Sequence, residues 1–115
     1  MSNPEGPGPR RYAKPYVLPK SLDMLTGPVM GTVRLPRHLA WSGSAVYDLD
    51  APGRVVDLYR TVIIEATRPE DLHTYLNAGT LKRLWSYIWL PPSVRQMWQD
   101  QFADLAAIDA LAASA

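Results

Sequence analysis

The sequence predicts a small, mainly α-helical protein: a four-helix domain at about residues 50–105, preceded by an extended, proline-rich arm with at most one or two short strands. Three observations support this prediction. Seven of the eleven prolines lie within residues 1–36, where they interrupt any helical pattern. Apolar residues recur at helical spacing only after Asp48. A chain of 115 residues, 47% hydrophobic and 20% charged, is long enough for one core and too short for two.

These patterns divide the chain into an extended basic arm at 1–45, a helical domain at 46–105 and an Ala-rich C-terminal tail at 106–115. The arm carries six Lys and Arg against two acidic residues, a formal charge of +4, whereas residues 46–115 carry six against nine, or −3. The tail favours a helix but has few side chains to bury, so we expect it to fray or to dock on a partner.

One short strand is predicted within the arm. Polar and apolar residues alternate from Thr32 to Leu35, as the two faces of a strand do, and Pro36 ends the pattern. A strand needs a partner, and residues 16–18 are the best match elsewhere in the chain. The strand is therefore expected to pair with residues 16–18 or with the sheet edge of another protein.

The first two helices of the domain have clear start signals. Asp50 and Pro52 suit the beginning of a helix at about 52–66, whose apolar residues recur at steps of three and four. Thr67 and Glu70 have the spacing of a capping box, in which the hydroxyl and the carboxylate satisfy the first free amides of a helix. A second, short helix is therefore expected to follow Thr67.

Two further helices are predicted before the tail. The third begins at Asn77 or Thr80, places Trp85 and Ile88 on its apolar face and ends before Pro91. The fourth begins at Pro92 and continues to Leu105, with the apolar residues again along one face.

The residues offer little for catalysis. The chain has no cysteine, which excludes disulfides and thiol nucleophiles and suits a reducing cytoplasm. His38 and His73 lack the spacing of metal ligands, and the acidic pair Glu70 and Asp71 stands at a helix start, where carboxylates cap. We therefore expect a non-enzymatic protein without metal or cofactor. No membrane span or signal peptide is expected either.

Nucleic-acid binding is one alternative that the sequence leaves open. The basic arm interleaves charged residues with aromatic ones, as segments that contact phosphates and bases do. A helix-turn-helix near residues 70–90 is the second element of this hypothesis, with the second and third predicted helices joined near Asn77. The residues that would contact nucleic acid are Arg10, Arg11, Lys14, Lys82 and Arg83.

Protein binding is the preferred interpretation, because four Trp and six Tyr are many for a small helical unit to bury. Tyr87 and Trp89 are predicted to point sideways from the third helix, and exposed aromatic patches commonly mark partner surfaces. An aromatic-rich core is the plainer alternative. The candidate partner-binding residues are Val33, Arg34, Leu35, Arg37, Trp41 and Trp89.

The chain resembles a family over roughly residues 30–105. The segments that carry the resemblance are 31–39, 41–43, 56–62, 70–72, 75–77, 81–85, 90–95 and Trp98. They are similar to small actinobacterial proteins encoded beside nucleotidyltransferase toxins of the abortive-infection type. The resemblance implies an antitoxin that binds and silences the neighbouring toxin, and it assigns no catalytic residues. A DNA-binding transcriptional regulator is the alternative function.

Overall fold

The structure, a computed structural model, describes residues 16–40 and 45–114. Its helices are α1 (Arg37–Ala40), α2 (Arg54–Glu65), α3 (Pro69–Tyr75), α4 (Ala78–Leu84), α5 (Pro92–Gln101) and α6 (Ala103–Ser114). Strands β1 (Thr32–Arg34) and β2 (Val46–Asp48) and two 3-10 turns, Leu22–Met24 and Trp85–Tyr87, complete the described elements. The prediction of a mainly helical protein is confirmed, although these residues contain six helices rather than four.

Strand β1 forms where the sequence predicts it, and its partner is β2. The two strands are antiparallel, with Val33 opposite Tyr47. One backbone hydrogen bond continues the ladder beyond each end, donated by Leu35 at 2.7 Å and by Leu49 at 2.8 Å. The expectation that β1 pairs with residues 16–18 or with another protein is therefore wrong. The sequence pattern missed β2 because apolar residues lie on both of its faces, exposed Val46 beside buried Tyr47, which hides the alternation.

The inner face of this two-stranded sheet belongs to the main core. Val33, Leu35 and Tyr47 are 6%, 3% and 2% exposed, and they form one cluster with the buried side chains of the helices. Pairing with β2 gives β1 a stable position on the helices, so its apolar side chains are buried within the protein itself. The prediction that Val33 and Leu35 lie on an accessible strand is therefore wrong.

A second part of the predicted arm is tied to the helices by backbone hydrogen bonds. Thr26 forms an isolated antiparallel bridge with Asn77, and the amide of Gly27 donates to the carbonyl of Leu76 at 2.7 Å. At this crossing a Cβ on Gly27 would lie 2.6 Å from the carbonyl carbon of Tyr75, so only glycine fits without displacing the backbone. This segment is therefore part of the folded domain and not a separate arm.

Helix α2 matches the first predicted helix to within two residues at each end. It packs against three elements, α1, β2 and α3. Its apolar side chains therefore cover a wider face than contact with one neighbour would need. Its buried side chains are Leu58, Tyr59, Val62 and Ile63. Burial raises the pKa of the Tyr59 phenol, although its oxygen accepts the amide of Asn77 at 2.8 Å.

The start of α3 differs from the predicted capping box. The helix begins at Pro69 with Arg68 at the N-cap, so its third residue is Asp71 and not Glu70. Asp71 accordingly accepts the amide of Thr67, at 3.0 Å. At α4 the prediction is confirmed, because the side chain of Asn77 accepts the amide at the third helical position, 3.1 Å away.

The C-terminal helices pack around two buried tryptophans. Trp85 and Trp98 are both fully buried, with ring centroids 6.1 Å apart. Helix α5 begins at Pro92 as predicted, but the prediction that it continues to Leu105 is wrong: it ends at Gln101, because Phe102 has extended backbone. Helix α6 then covers α5 and buries Leu105. Through residue 114 the predicted tail is helical and continues α6. No helix in the described ranges is long and apolar enough to cross a bilayer.

Candidate protein-binding surface

The residues predicted to bind partners have different places in the structure. Val33 and Leu35 lie in the core, so they are not available as contact residues of the folded domain. Trp89 is 63% exposed. Trp41, Arg10, Arg11 and Lys14 lie outside the described residues.

Arg34 and Arg37 come together at one shallow depression. Arg34 is exposed on β1, and Arg37 is the exposed first residue of α1. Both line a cavity of about 400 Å³ together with Leu35, Ala40 and Ala45. Within residues 16–40 and 45–114 neither arginine is paired with an acidic side chain. These two predicted residues therefore share a basic patch, whereas Trp89 does not line it.

Helices α3 and α4 occupy the positions of the predicted helix-turn-helix. Each has seven residues, and α4 carries both Lys82 and Arg83. The ammonium group of Lys82 lies 3.3 Å from the carboxylate of Asp104, which compensates its charge. Arg83 is exposed. Of the two cations on this helix, only Arg83 thus lacks a described ion-pair partner, which is a small charge for contact with a DNA backbone.

Asp71 joins α1 to α3 through a buried carboxylate. Its side chain is 4% exposed, and one of its oxygens lies 3.0 Å from Nε2 of His38 while the other accepts the amide of Thr67. Burial raises the pKa of Asp71, but the hydrogen bonds from Thr67 and His38 outweigh it, so the pKa lies below its ordinary value of 3.8. No group of three metal-ligating side chains occurs in the described part of the chain. We interpret this contact as structural.

Among the described residues, the most exposed aromatic side chains stand at 87–90, where the chain leaves the Trp85–Tyr87 turn. Tyr87 and Trp89 are 74% and 63% exposed, whereas Ile88 and Leu90 between and beyond them are 1% and 4% exposed. Tyr87 is the last residue of the turn, and Ile88 after it has extended backbone. Both large rings line one cleft at the surface, while Ile88 and Leu90 anchor the segment in the core.

The helix predicted to continue through Ile88 ends earlier, at Leu84, and Arg95 accounts for the difference. In a continuous helix the carbonyl of Ile88 would accept the amide of residue 92, but Pro92 has no N–H. The guanidinium of Arg95 supplies the missing donor to Ile88 and also donates to the carbonyl of Trp85, at 3.1 Å. The backbone can therefore leave the helix without an unsatisfied carbonyl.

Arg95 is itself held in place. It donates to Asp109 of α6 at 2.7 Å, and its guanidinium lies 4.5 Å from the centre of the Trp85 ring. Gln99 donates to the same oxygen of Asp109. Helices α5 and α6 thus fix the backbone that carries Tyr87 and Trp89.

A third residue, Arg60 of α2, completes this region. Its guanidinium lies 5.1 Å from the centre of the Trp89 ring, and the side chain is exposed. We call Arg60, Tyr87 and Trp89 the aromatic surface. A cleft of about 360 Å³ adjoins it, with Tyr87, Trp89, Arg95 and Asp109 among its lining residues. A partner side chain of moderate size would fit this cleft.

Sequence reasoning identified Trp89 as a partner contact but missed Arg60 and Arg95. The signal for Arg95 was present, because Pro91 and Pro92 remove the donor that a preceding helix end needs. No comparable signal exists for Arg60. It lies 29 positions before Trp89, and only the packing of α2 brings the two together.

Comparison with known proteins finds no significant match. No family model matches the chain, and no curated protein or solved structure is significantly similar to it.

Proposed function

We propose that this protein is a non-enzymatic, antitoxin-like protein that acts in the cytoplasm by binding and neutralising a partner protein, a toxin of the nucleotidyltransferase type. The observation that carries the proposal is the exposure of Tyr87 and Trp89 on a segment that is held by buried Ile88 and Leu90 and by the hydrogen bonds of Arg95. Tyrosine and tryptophan are enriched in protein interfaces, where they often account for much of the binding energy.

The way the rings are held supports this proposal further. Buried Ile88 and Leu90 flank Trp89, and Arg95 fixes the carbonyl before it. A surface ordered before binding loses little conformational entropy when a partner docks. The geometry therefore suits recognition of a folded protein.

Neutralisation requires only that the bound chain cover or distort the partner's active region. No catalytic group of this chain takes part. The resemblance of residues 30–105 to antitoxin-like proteins supports the class of partner. The basic patch of Arg34 and Arg37 offers a second contact region if the partner is acidic there.

The experiment is co-expression with a nucleotidyltransferase toxin of the abortive-infection type, the partner that the proposal requires, with growth and binding affinity as readouts. We expect the double variant Tyr87→Ser/Trp89→Ser to lose protection and to bind at least tenfold more weakly. The matched control is Met30→Ser/Leu111→Ser, which removes two apolar side chains that are 69% and 71% exposed elsewhere. Equal losses in both variants, or none in either, would contradict the proposal.

The alternative of a DNA-binding regulator predicts a different result. Mobility-shift assays at about 150 mM salt, where screening limits long-range attraction, would then show tight and sequence-selective retention. Arg83→Gln would abolish it, while the serine variants at Tyr87 and Trp89 would bind DNA normally. That outcome would replace the protein-binding proposal.

A further inference from the structure

Three arginines stack on aromatic rings in the described part of the chain, and they differ in what else they bind. The pairs are Arg54 over Tyr47, Arg60 over Trp89 and Arg95 over Trp85. Arg54 donates to Asp57 at 2.9 Å, and Arg95 donates to Asp109 at 2.7 Å. For Arg60, by contrast, no acidic side chain or carbonyl among residues 16–40 and 45–114 serves as an acceptor.

Contact with a ring leaves the hydrogen-bonding capacity of a guanidinium unused. The ring attracts the cation through its face and accepts no conventional hydrogen bond from the five N–H donors. The contact with Trp89 also limits the movement of the Arg60 side chain, so less conformational entropy is lost when a ligand binds. Arg60 therefore presents an exposed set of unused donors beside a large apolar ring.

We propose that Arg60 and Trp89 form a binding site for a carboxylate of the partner protein, an Asp or Glu side chain that lies next to an apolar residue. The carboxylate accepts two parallel hydrogen bonds from Arg60, and the apolar residue contacts Trp89 and Tyr87 at the adjoining cleft. This inference rests on the proposed function, because it specifies the chemistry of the same surface. The complementary patch on the partner protein would therefore contain an acidic side chain next to an apolar one.

Charge favours a carboxylate over a nucleic-acid phosphate. Arg60 is the one cation among the three residues of the aromatic surface. A nucleic-acid backbone is bound by several cations in register, which this surface does not offer. One uncompensated guanidinium matches a single carboxylate.

A probe that does not depend on the partner tests the site directly. Acetyl-Asp-Leu-amide is titrated into the protein while the Arg60 Nε–Hε and Trp89 indole N–H resonances are followed by NMR. Acetyl-Asn-Leu-amide is the isosteric control without the charge. We expect both resonances to shift and saturate with the Asp peptide, and binding of the Asn peptide to be at least fivefold weaker.

Two outcomes of the titration would overturn the inference. Equal binding of both peptides would mean that the carboxylate plays no part. Preference for inorganic phosphate or for an oligothymidine over the Asp peptide would mean that the site selects phosphate. Neither result depends on whether the toxin binds, so failure of the proposed function is recognised separately, by absence of binding between the wild-type protein and that toxin.

Substitutions separate the donor geometry from the charge. Arg60→Lys keeps the positive charge but loses the planar donors, and we expect it to bind the Asp peptide at least fivefold more weakly. The matched control is Arg54→Lys, which changes an arginine that also stacks on a ring but already has its acceptors in the protein. Unchanged peptide binding in Arg60→Lys, with the fold intact by thermal melting, would contradict the inference.

Discussion

Two segments of this protein alternate buried and exposed side chains but differ in which residues they expose. In β1 and its continuation, Val33 and Leu35 are buried in the core while Arg34 between them is exposed. In residues 87–90 the buried positions are again apolar, but the exposed ones are Tyr87 and Trp89. The first segment shows the pattern that folding alone requires. The second leaves two large rings in solvent, which is why we propose the binding surface there.

The largest expected effect comes from breaking the first segment. Val33→Asp/Leu35→Asp places two carboxylates in the core, at a cost on the order of 5 kcal/mol or more. Since a domain of this size is stable by only about 5–15 kcal/mol, we expect the double variant to be largely unfolded. Circular dichroism and thermal melting measure this. A melting temperature close to the parent's would show that β1 is not part of the core.

A smaller but substantial loss is expected at the residue that positions the second segment. Arg95→Ala leaves the carbonyl of Ile88 without its donor and Asp109 without its cation, and we expect a loss of about 2 kcal/mol in the free energy of unfolding. Hydrogen exchange at residues 85–90 should accelerate more than exchange in α2. Uniform acceleration across the domain would instead indicate a general loss of stability without specific control of this segment.

Replacement of Asp71 is expected to have an intermediate effect on stability, and this effect depends on pH. Its pKa is lower in the folded protein than in the unfolded chain, so the carboxylate stabilises the fold above the unfolded value near 3.8 and this contribution is lost as the pH falls through the folded value. Asp71→Asn should therefore melt below the parent at pH 7, and the difference should shrink below pH 4. The imidazole of His38 and the guanidinium of Arg68 are the basic groups near this carboxylate.

A matched control tests whether the pH dependence of melting is specific to Asp71. Glu70→Gln alters the adjacent, exposed carboxylate and should leave the pH dependence of melting close to that of the parent. A constant difference between Asp71→Asn and the parent from pH 2 to pH 7 would contradict the assigned direction of the pKa shift.

The smallest effect on stability is expected at the aromatic surface itself. Trp89→Ser removes an exposed ring and its contact with Arg60, which together are worth about 1 kcal/mol or less. Trp85→Ser, four positions earlier, empties a fully buried site and should unfold the domain. Thermal melting of this matched pair measures the contrast between the two tryptophans. A large loss of stability in Trp89→Ser would mean that its ring supports the fold.

The sequence predicted those features that short-range patterns encode. The limits of α2, the start of α5 at Pro92 and the cap at Asn77 all depend on residues within one or two helical turns. The pairing of β1 with β2 did not follow, because β2 has apolar residues on both faces and lies beyond α1 in the chain. The crossing at Gly27 was missed for a similar reason, since nothing near that glycine identifies residues 73–78 as its neighbours.

The candidate surface was predictable to the same extent. Trp89 is conspicuous in the sequence, and the helical pattern before Pro91 predicted that its ring points away from the apolar face. Arg60 could not be paired with it, because their contact depends on how α2 and the 87–90 segment pack in three dimensions. Local sequence patterns thus indicated Trp89, whereas tertiary packing brings Arg60 to it.

The crossing at Gly27 has a consequence for how the chain reaches its fold. The amide of Ala78 donates to the carbonyl of Leu25, so the ends of a loop spanning nearly half the sequence are joined by backbone hydrogen bonds. Closing such a loop costs entropy before its contacts repay it, and non-local contacts of this kind slow folding. During synthesis residues 25–27 emerge before the residues they bind, so this crossing cannot form until α4 has been made. We therefore expect the helices to form first and the N-terminal segment to close over them in a later, slower step.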